Sequence, residues 1–272
     1  MSQQQYNLIV VLGATASGKT RLGVELAKQL NGEVISGDSR QVYTGLDIGS
    51  GKDLAEYGDV PYHLIDIIEP GKEYNAFQFQ RDFFRAFKDI NLRGKLPLLV
   101  GGTGLYIDAV TAGYEFVEVD KNISQREKFA DMALEAVQQV LLSLDEASYH
   151  KTDITVRPRL YRAIEIAQHG TSATTERAPL PSITPLYFGI KWDRRVLRQR
   201  ITLRLKERLE HGMIAEVEGL LAQGVTHEKL EYFGLEYRFV SQYVAGKISY
   251  QEMFDGLNVA IHKYAKRQDT WF

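Results

Sequence analysis

The sequence predicts an α/β fold in which helices flank a parallel sheet and a helical lobe is inserted between two core strands. Short, continuous apolar runs such as residues 8–12 end in glycine-rich segments, which is typical of strands buried on both faces of a parallel sheet. These runs alternate with segments of helical periodicity as far as about residue 113, after which helical patterns follow one another without a strand. We therefore expect a core formed by residues 1–113 plus 186–272 and an inserted helical lobe at residues 114–185.

The first unit of this fold is a strand, a glycine-rich loop, a helix and a second strand. After the strand at 8–12, apolar residues recur at helical spacing from 18 to 30, and Asn31-Gly32 supplies a stop signal. Residues 33–36 then form the second strand, which completes a βαβ unit.

The remaining elements follow from the same patterns. Further strands are predicted at 63–68, 96–100 and 186–191, and lobe helices at 124–144 and 159–169, followed by a polar loop at 170–185. Phe79, Phe83 and Phe87 recur every four residues on a helix between two of the strands. We interpret this aromatic stripe as core packing.

Composition excludes several kinds of mechanism. The chain has 272 residues and no cysteine, which excludes thiolate nucleophiles, disulfides and cysteine-ligated metals. No apolar run approaches the roughly 18 residues that span a bilayer, and the first residues lack the basic and apolar regions of a signal peptide. We therefore expect a cytoplasmic protein that does not contact a membrane and that catalyses with oxygen, nitrogen or a hard metal.

A P-loop lies between the first strand and the first helix, and its spacing G-x-x-x-x-G-K-T is that of P-loop NTPase-like folds. Its residues are Gly13, Ala14, Thr15, Ala16, Ser17, Gly18, Lys19 and Thr20. Glycines let successive N–H groups turn toward one anion, at which the following helix points its positive end. Lys19 adds a full charge, and the Thr20 hydroxyl suits Mg²⁺ that bridges two phosphates. The loop predicts a Mg²⁺-dependent diphosphate site, but ATP, GTP and other diphosphates satisfy it equally.

Two further segments are expected at the same edge of the sheet. Asp38 follows the second strand at its carboxyl end, where ligands of open parallel sheets bind. It is a candidate base or, equally, the N-cap of a following helix. Thr103 lies in the glycine-rich segment 100–106 after another strand, where backbone and hydroxyl can approach a ligand closely.

Basic residues are concentrated in three places, although the formal net charge is −2. Residues 191–208 contain eight basic and two acidic side chains, and smaller groups are Arg157, Arg159 and Arg162, and Lys263, Lys266 and Arg267. Each group alone could be a solvated helix face. Together they indicate a localised anionic partner.

The combination of these motifs resembles the bacterial tRNA dimethylallyltransferases, also called tRNA isopentenyltransferases. The matching segments run in family order over most of the chain and are 13–20, 38–43, 47–49 with Lys52, 63–66, 100–106, 159–165, 200–204, 212–217 and 264–272. The resemblance implies that the P-loop holds dimethylallyl diphosphate. It also implies transfer of the prenyl group to N6 of the adenosine 3′ to the anticodon.

The resemblance also implies roles for individual residues. Asp38 would take the N6 proton, Thr103 would place the reacting groups, and Arg204 would join Lys19 and Mg²⁺ on Thr20 around the leaving diphosphate. The tRNA anticodon stem-loop would contact Asp38, Ser39, Arg40, Gln41, Thr103, Arg157, Arg159 and Arg162. We expect the protein to act as a monomer.

Several positions depart from the family pattern. Ala14 replaces a usual proline, Ser50-Gly51 replaces Thr-Ala, and Arg208 stands at a frequent methionine position. Residues 234–238 read Gly-Leu-Glu-Tyr-Arg where the family usually has Gly-Tyr and a basic or polar residue. We expect these departures to affect tRNA recognition more than prenyl transfer. Three alternatives remain open: a transferase acting on free adenine nucleotides, a P-loop small-molecule kinase with Asp38 as base, and a noncatalytic RNA-binding paralogue.

Overall fold

A parallel sheet forms the centre of the protein. The computed structural model describes residues 6–114, 116, 118–169 and 179–272, and within these residues five strands pair in the order β3-β2-β4-β1-β5. The strands are β1 (Leu8–Gly13), β2 (Gly32–Ser36), β3 (Tyr62–His63), β4 (Leu96–Gly101) and β5 (Pro185–Ile190). All four neighbouring pairs are parallel, so the predicted α/β fold is confirmed.

Helices account for most of the remaining chain. They are α1 (Lys19–Leu30), α2 (Ala76–Leu92), α3 (Gly104–Thr111), α4 (Ile123–Ala130), α5 (Leu134–Leu144), α6 (Glu146–Lys151), α7 (Arg157–His169), α8 (Arg194–Glu210), α9 (Met213–Ala222), α10 (His227–Tyr232), α11 (Leu235–Val244) and α12 (Tyr250–Trp271), with a 3₁₀ turn at Leu54–Tyr57. In the part of the chain that the structure covers, no helix is long and apolar enough to cross a membrane.

Contacts divide the chain into two compact units. One comprises Met1–Tyr114 and Leu180–Phe272, which carry the sheet, and the other is Glu115–Pro179, which is helical. Residues 170–178 of the expected polar loop lie outside the described residues. In the sheet unit, Phe79, Phe83 and Ile90 of α2 are fully buried, which confirms that the aromatic stripe is core packing.

The expected strand at 63–68 is wrong beyond its first residue. Leu64 and Asp66 have positive φ angles of 62° and 55°, which an extended strand does not allow. The Asp66 carboxylate forms an ion pair with the buried Lys52, so a charge contact takes the place of strand pairing. An isolated parallel bridge joins Tyr43 to Ile68.

The expected single helix at 124–144 is also wrong, because α4 and α5 are separate. Arg157 provides the local reason. Its guanidinium donates from Nη1 to the carbonyl of Phe129 at 2.7 Å and from Nη2 to the carbonyl of Met132 at 2.7 Å. The side chain thereby satisfies carbonyls that the end of a helix leaves without a partner, which stabilises the turn between the two helices.

Candidate active site

The P-loop, Asp38 and Thr103 lie at one edge of the sheet. They follow β1, β2 and β4, respectively, and β4 lies between β2 and β1 in the sheet. Because all strands are parallel, their carboxyl ends and the loops that follow share one edge. The three segments singled out in the sequence are thereby brought together.

The P-loop is held in shape from both sides. Its left-handed positions are Gly18, with φ of 93°, and Ala16, with φ of 60°. Gln268 of α12 accepts a hydrogen bond from the Thr15 N–H at 2.8 Å and donates to the Gly102 carbonyl at 2.8 Å. One amide side chain therefore ties the P-loop to the loop that carries Thr103.

Helix α8 brings two arginines to the P-loop. Arg204 donates from Nη2 to the Thr15 hydroxyl at 2.6 Å, and Arg200 donates from Nε to the Ala16 carbonyl at 2.8 Å. The Arg200 guanidinium also lies over the Trp192 ring, 4.8 Å from its centroid. Part of the basic stretch at 191–208 thus faces the phosphate loop.

The cations at this edge repel one another. Burial and the neighbouring Arg204 lower the pKa of Lys19 to about 8. Burial and Arg208 lower the pKa of Arg204 to about 10. Desolvation destabilises the charged form of a buried group, and neighbouring like charges destabilise it further. An anion placed between Lys19 and Arg204 would therefore stabilise the charged forms of both. The electrostatics favour a ligand with several negative charges.

Asp38 and Thr103 are linked through the backbone between them. The Ser39 N–H donates to the Thr103 hydroxyl at 3.2 Å, and the Arg40 N–H donates to Asp38 Oδ1 at 2.8 Å. No helix follows Asp38 directly, so the helix-cap alternative is wrong and the carboxylate caps a turn instead. No described residue donates a hydrogen bond to its Oδ2.

Two neighbouring cavities connect these groups. The larger, of about 430 Å³, is lined by Asp38, Thr103 and Arg204 together with aromatic residues of the 231–238 segment and Tyr264. The smaller, of about 60 Å³, is lined by Lys19, Thr20, Asp38 and Arg204. Since Asp38 and Arg204 line both, a ligand bound at the P-loop can present its other end to the Asp38 carboxylate. The larger cavity has the size of a small-molecule site.

One wall of the site depends on a glutamate that sequence reasoning did not assign. Glu216 of α9 accepts hydrogen bonds from the N–H groups of Asp47, Ile48 and Gly49 and from the Tyr237 hydroxyl. Gly49 lines the larger cavity. Residues 47–49 and 212–217 are both among the family-like segments, which is the signal that could have paired them.

The residues expected to bind tRNA have different surroundings. Ser39 and Arg40 line the larger cavity, whereas Gln41 is buried and donates to the Gly51 carbonyl at 3.0 Å. In the helical unit, Arg159 pairs with Asp153 at 3.0 Å. Arg162 donates to the Val119 carbonyl at 2.6 Å, and Arg157 is held by carbonyls as described above. Their contacts with tRNA stay a prediction.

Comparison with known proteins identifies the relatives of this chain. The IPP transferase family model matches residues 41–272, and the isopentenyl transferase model matches residues 6–57. The tRNA dimethylallyltransferase 2 of Shewanella sediminis is 68% identical over 99% of this chain and 89% of its own. The tRNA dimethylallyltransferase 1 of Geotalea uraniireducens is 56% identical over 98% of this chain and 88% of its own.

Two solved structures share the fold. A full-length tRNA isopentenylpyrophosphate transferase from Bacillus halodurans matches with a TM-score of 0.72 and 33% identity, over 98% of this chain and 86% of its own. A eukaryotic dimethylallyltransferase acting on tRNA matches with a TM-score of 0.82 and 25% identity, over 97% of this chain and 69% of its own.

Proposed function

Because this chain belongs to the IPP transferase family, we propose that it transfers the prenyl group of dimethylallyl diphosphate to N6 of the tRNA adenosine 3′ to the anticodon. It is a prenyltransferase that modifies tRNA. The observation that supports this choice of donor and acceptor is the pair of cavities that share Asp38 and Arg204. Together they connect a phosphate site to a carboxylate.

The phosphate end of the site stabilises the leaving group. Breaking the bond between the allylic carbon and oxygen places negative charge on the diphosphate, and Lys19, Arg204 and the P-loop N–H groups oppose that charge. Thr20 lines the P-loop cavity and would hold Mg²⁺ together with diphosphate oxygens. Bound there, the ion would neutralise part of the charge on the diphosphate.

The residues present suit Mg²⁺ as a partner of the substrate. Among the described residues, no group of three or more His, Asp or Glu side chains could hold a metal unaided. Mg²⁺ is commonly held by one or two protein groups and by substrate phosphates, which agrees with a site built on the Thr20 hydroxyl.

The carboxylate end of the site receives the acceptor. The adenine N6 attacks the allylic carbon, a nitrogen–carbon bond forms, diphosphate leaves, and the N6 proton passes to Asp38. The Thr103 hydroxyl, fixed by the Ser39 N–H, orients the reacting amine. The base must leave its stack to enter the larger cavity, where the aromatic lining offers surfaces for stacking. All of these groups come from one chain, so we propose that a monomer suffices.

Transfer of label tests the proposal and its alternatives in one experiment. Purified protein is incubated with Mg²⁺ and labelled dimethylallyl diphosphate, in turn with tRNA, free AMP, or neither, and separately with ATP and candidate alcohols. We expect label in tRNA alone and strongly reduced transfer by Lys19→Ala. Label in AMP with none in tRNA would favour the nucleotide transferase, and phosphorylated alcohol would favour the kinase.

A further inference from the structure

A third arginine of α8 lies near the phosphate site and has no assigned role. Arg208 follows Arg204 by one helical turn and lines the larger cavity. The residue is buried, with 8% of its surface exposed, and its Nη2 has no hydrogen-bond partner among the described residues. The Asp53 carboxylate lies 3.9 Å away, beyond hydrogen-bond distance. Leaving a buried guanidinium nitrogen without a hydrogen-bond partner costs free energy, so a bound ligand that accepted its hydrogen bond would stabilise the site.

A glycine makes the space that this guanidinium fills. Gly51 has a φ of 69°, and a Cβ built there would lie 1.8 Å from Arg208 Nη2 and 2.8 Å from its Cζ. Gly51 also lines the smaller cavity, together with Lys19 and Thr20. Arg208 itself lines the larger cavity, which shares Asp38 and Arg204 with the smaller one, and any side chain at position 51 would displace its guanidinium.

Arg208 has other cations as neighbours at this edge, and the Asp53 carboxylate, 3.9 Å from its Nη2, is too far away to accept a hydrogen bond. Arg208 contributes to lowering the pKa of both Lys19 and Arg204, so the three cations act on one another across the site. Glu236 lines the larger cavity with Arg208, but burial raises the pKa of that carboxyl. A multiply charged anion between the cations would relieve their repulsion better than this carboxylate does.

Three departures from the family pattern meet at this place. Gly51, Arg208 and Glu236 belong to the departures expected to affect tRNA recognition, and each lines the P-loop cavity or the larger cavity beside it. Glycine at position 51 and arginine at position 208 fit each other sterically. The two residues therefore form a matched pair, in which Gly51 leaves room for the Arg208 guanidinium.

We propose that Arg208 is an additional ligand of the donor's diphosphate, and that Gly51 leaves the space which its guanidinium needs. The proposal rests on the proposed function, because it takes the P-loop anion to be a diphosphate. Nη2 donates to a non-bridging phosphate oxygen in a charge-assisted hydrogen bond, and Lys19 and Arg204 bind the same group. Arg208 thereby sets affinity for the donor and stabilises the departing diphosphate.

Calorimetric binding of inorganic pyrophosphate in the presence of Mg²⁺ tests the proposal. Arg208→Met keeps the side-chain volume and removes the charge, and we expect at least about tenfold weaker binding, as for loss of a hydrogen bond to a charged group. The matched control is Lys206→Met, which removes the same charge from an exposed position of the same helix and should change affinity less than about twofold. Should Arg208→Met fail to fold, Arg208→Lys keeps the charge and should show a smaller loss.

The steric part of the proposal is tested by Gly51→Ala. Alone, this change should displace the guanidinium and weaken pyrophosphate binding about as much as Arg208→Met does. Added to Arg208→Met, it should weaken binding little further, because the group it displaces is already gone. Thermal unfolding of each variant checks that the protein remains folded.

The outcomes distinguish failure of the Arg208 proposal from failure of the proposed prenyltransferase function. Wild-type affinity in a folded Arg208→Met variant, or additive losses in the double variant, would overturn the role of Arg208 and reduce it to a packing contact. Failure of the wild-type protein to bind pyrophosphate at all would instead contradict the proposed function.

Discussion

Glu216→Gln should loosen the wall of the active site. The carboxylate accepts four hydrogen bonds, of which Oε2 accepts those from the Asp47 and Ile48 N–H groups at 3.1 and 2.6 Å. Glutamine keeps one oxygen, so two donors would face its NH₂ group without an acceptor. An unsatisfied donor costs about 1–3 kcal/mol, and since the Asp47 N–H is exposed to water, we expect a loss of about 2–4 kcal/mol in total.

Amide hydrogen exchange measures this loss where it occurs. If the segment opens locally, a cost of about 2–4 kcal/mol lowers the protection of the Ile48 and Gly49 amides by about 30- to 800-fold, at roughly 1.4 kcal/mol per tenfold. The control is Glu218→Gln, an exposed carboxylate on the same helix. Unchanged protection of these two amides in Glu216→Gln would refute the assignment of Glu216 as their anchor.

Three further predictions concern catalysis, RNA binding and acid stability. Asp38→Asn should lower the single-turnover rate while tRNA affinity changes little, and an unchanged rate would leave Asp38 as a turn cap. Arg204→Ala should raise the KM for dimethylallyl diphosphate and leave the salt dependence of tRNA binding unchanged. Arg159→Ala should instead make the slope of log affinity against log salt concentration shallower by about one unit, as measured by binding titrations over a range of salt concentrations. Burial would raise the pKa of Glu33, but its hydrogen bonds with Arg93 outweigh this and hold that pKa below its usual range. Its ionised form should therefore stabilise the fold above about pH 4 and lose that contribution as the pH falls further, so urea unfolding of Glu33→Gln should show a weaker acid dependence than wild type.

The parts of the site that sequence could predict are those whose chemistry is local. The P-loop is one continuous segment between a strand and a helix, and Asp38 and Thr103 each follow a strand whose direction is fixed by the parallel sheet. Because ligands bind at the carboxyl edge of such sheets, their proximity could be predicted without coordinates.

The parts that could not be predicted depend on contacts between distant residues. Glu216 acts on N–H groups about 170 positions earlier in the chain, and no periodic pattern links the two. Likewise, Gly51 reads as an ordinary turn residue until Arg208 is found in the space where its side chain would be. The predicted strand at 63–68 is wrong for a related reason. Leu64 and Asp66 adopt positive φ angles, and Asp66 pairs with Lys52, a contact that β-propensity does not take into account.

The most direct test of the account is the mass of the nucleosides recovered from tRNA after reaction with dimethylallyl diphosphate and Mg²⁺. The substrate is tRNA from cells that lack the modification, and fragments from nuclease digestion locate the modified position. We expect one adenosine, 3′ to the anticodon, to gain the mass of one dimethylallyl group in place of a hydrogen, with loss of the product in Asp38→Asn at early times. Modification at another position, or tRNA of unchanged mass beside a folded protein that binds pyrophosphate, would contradict the account.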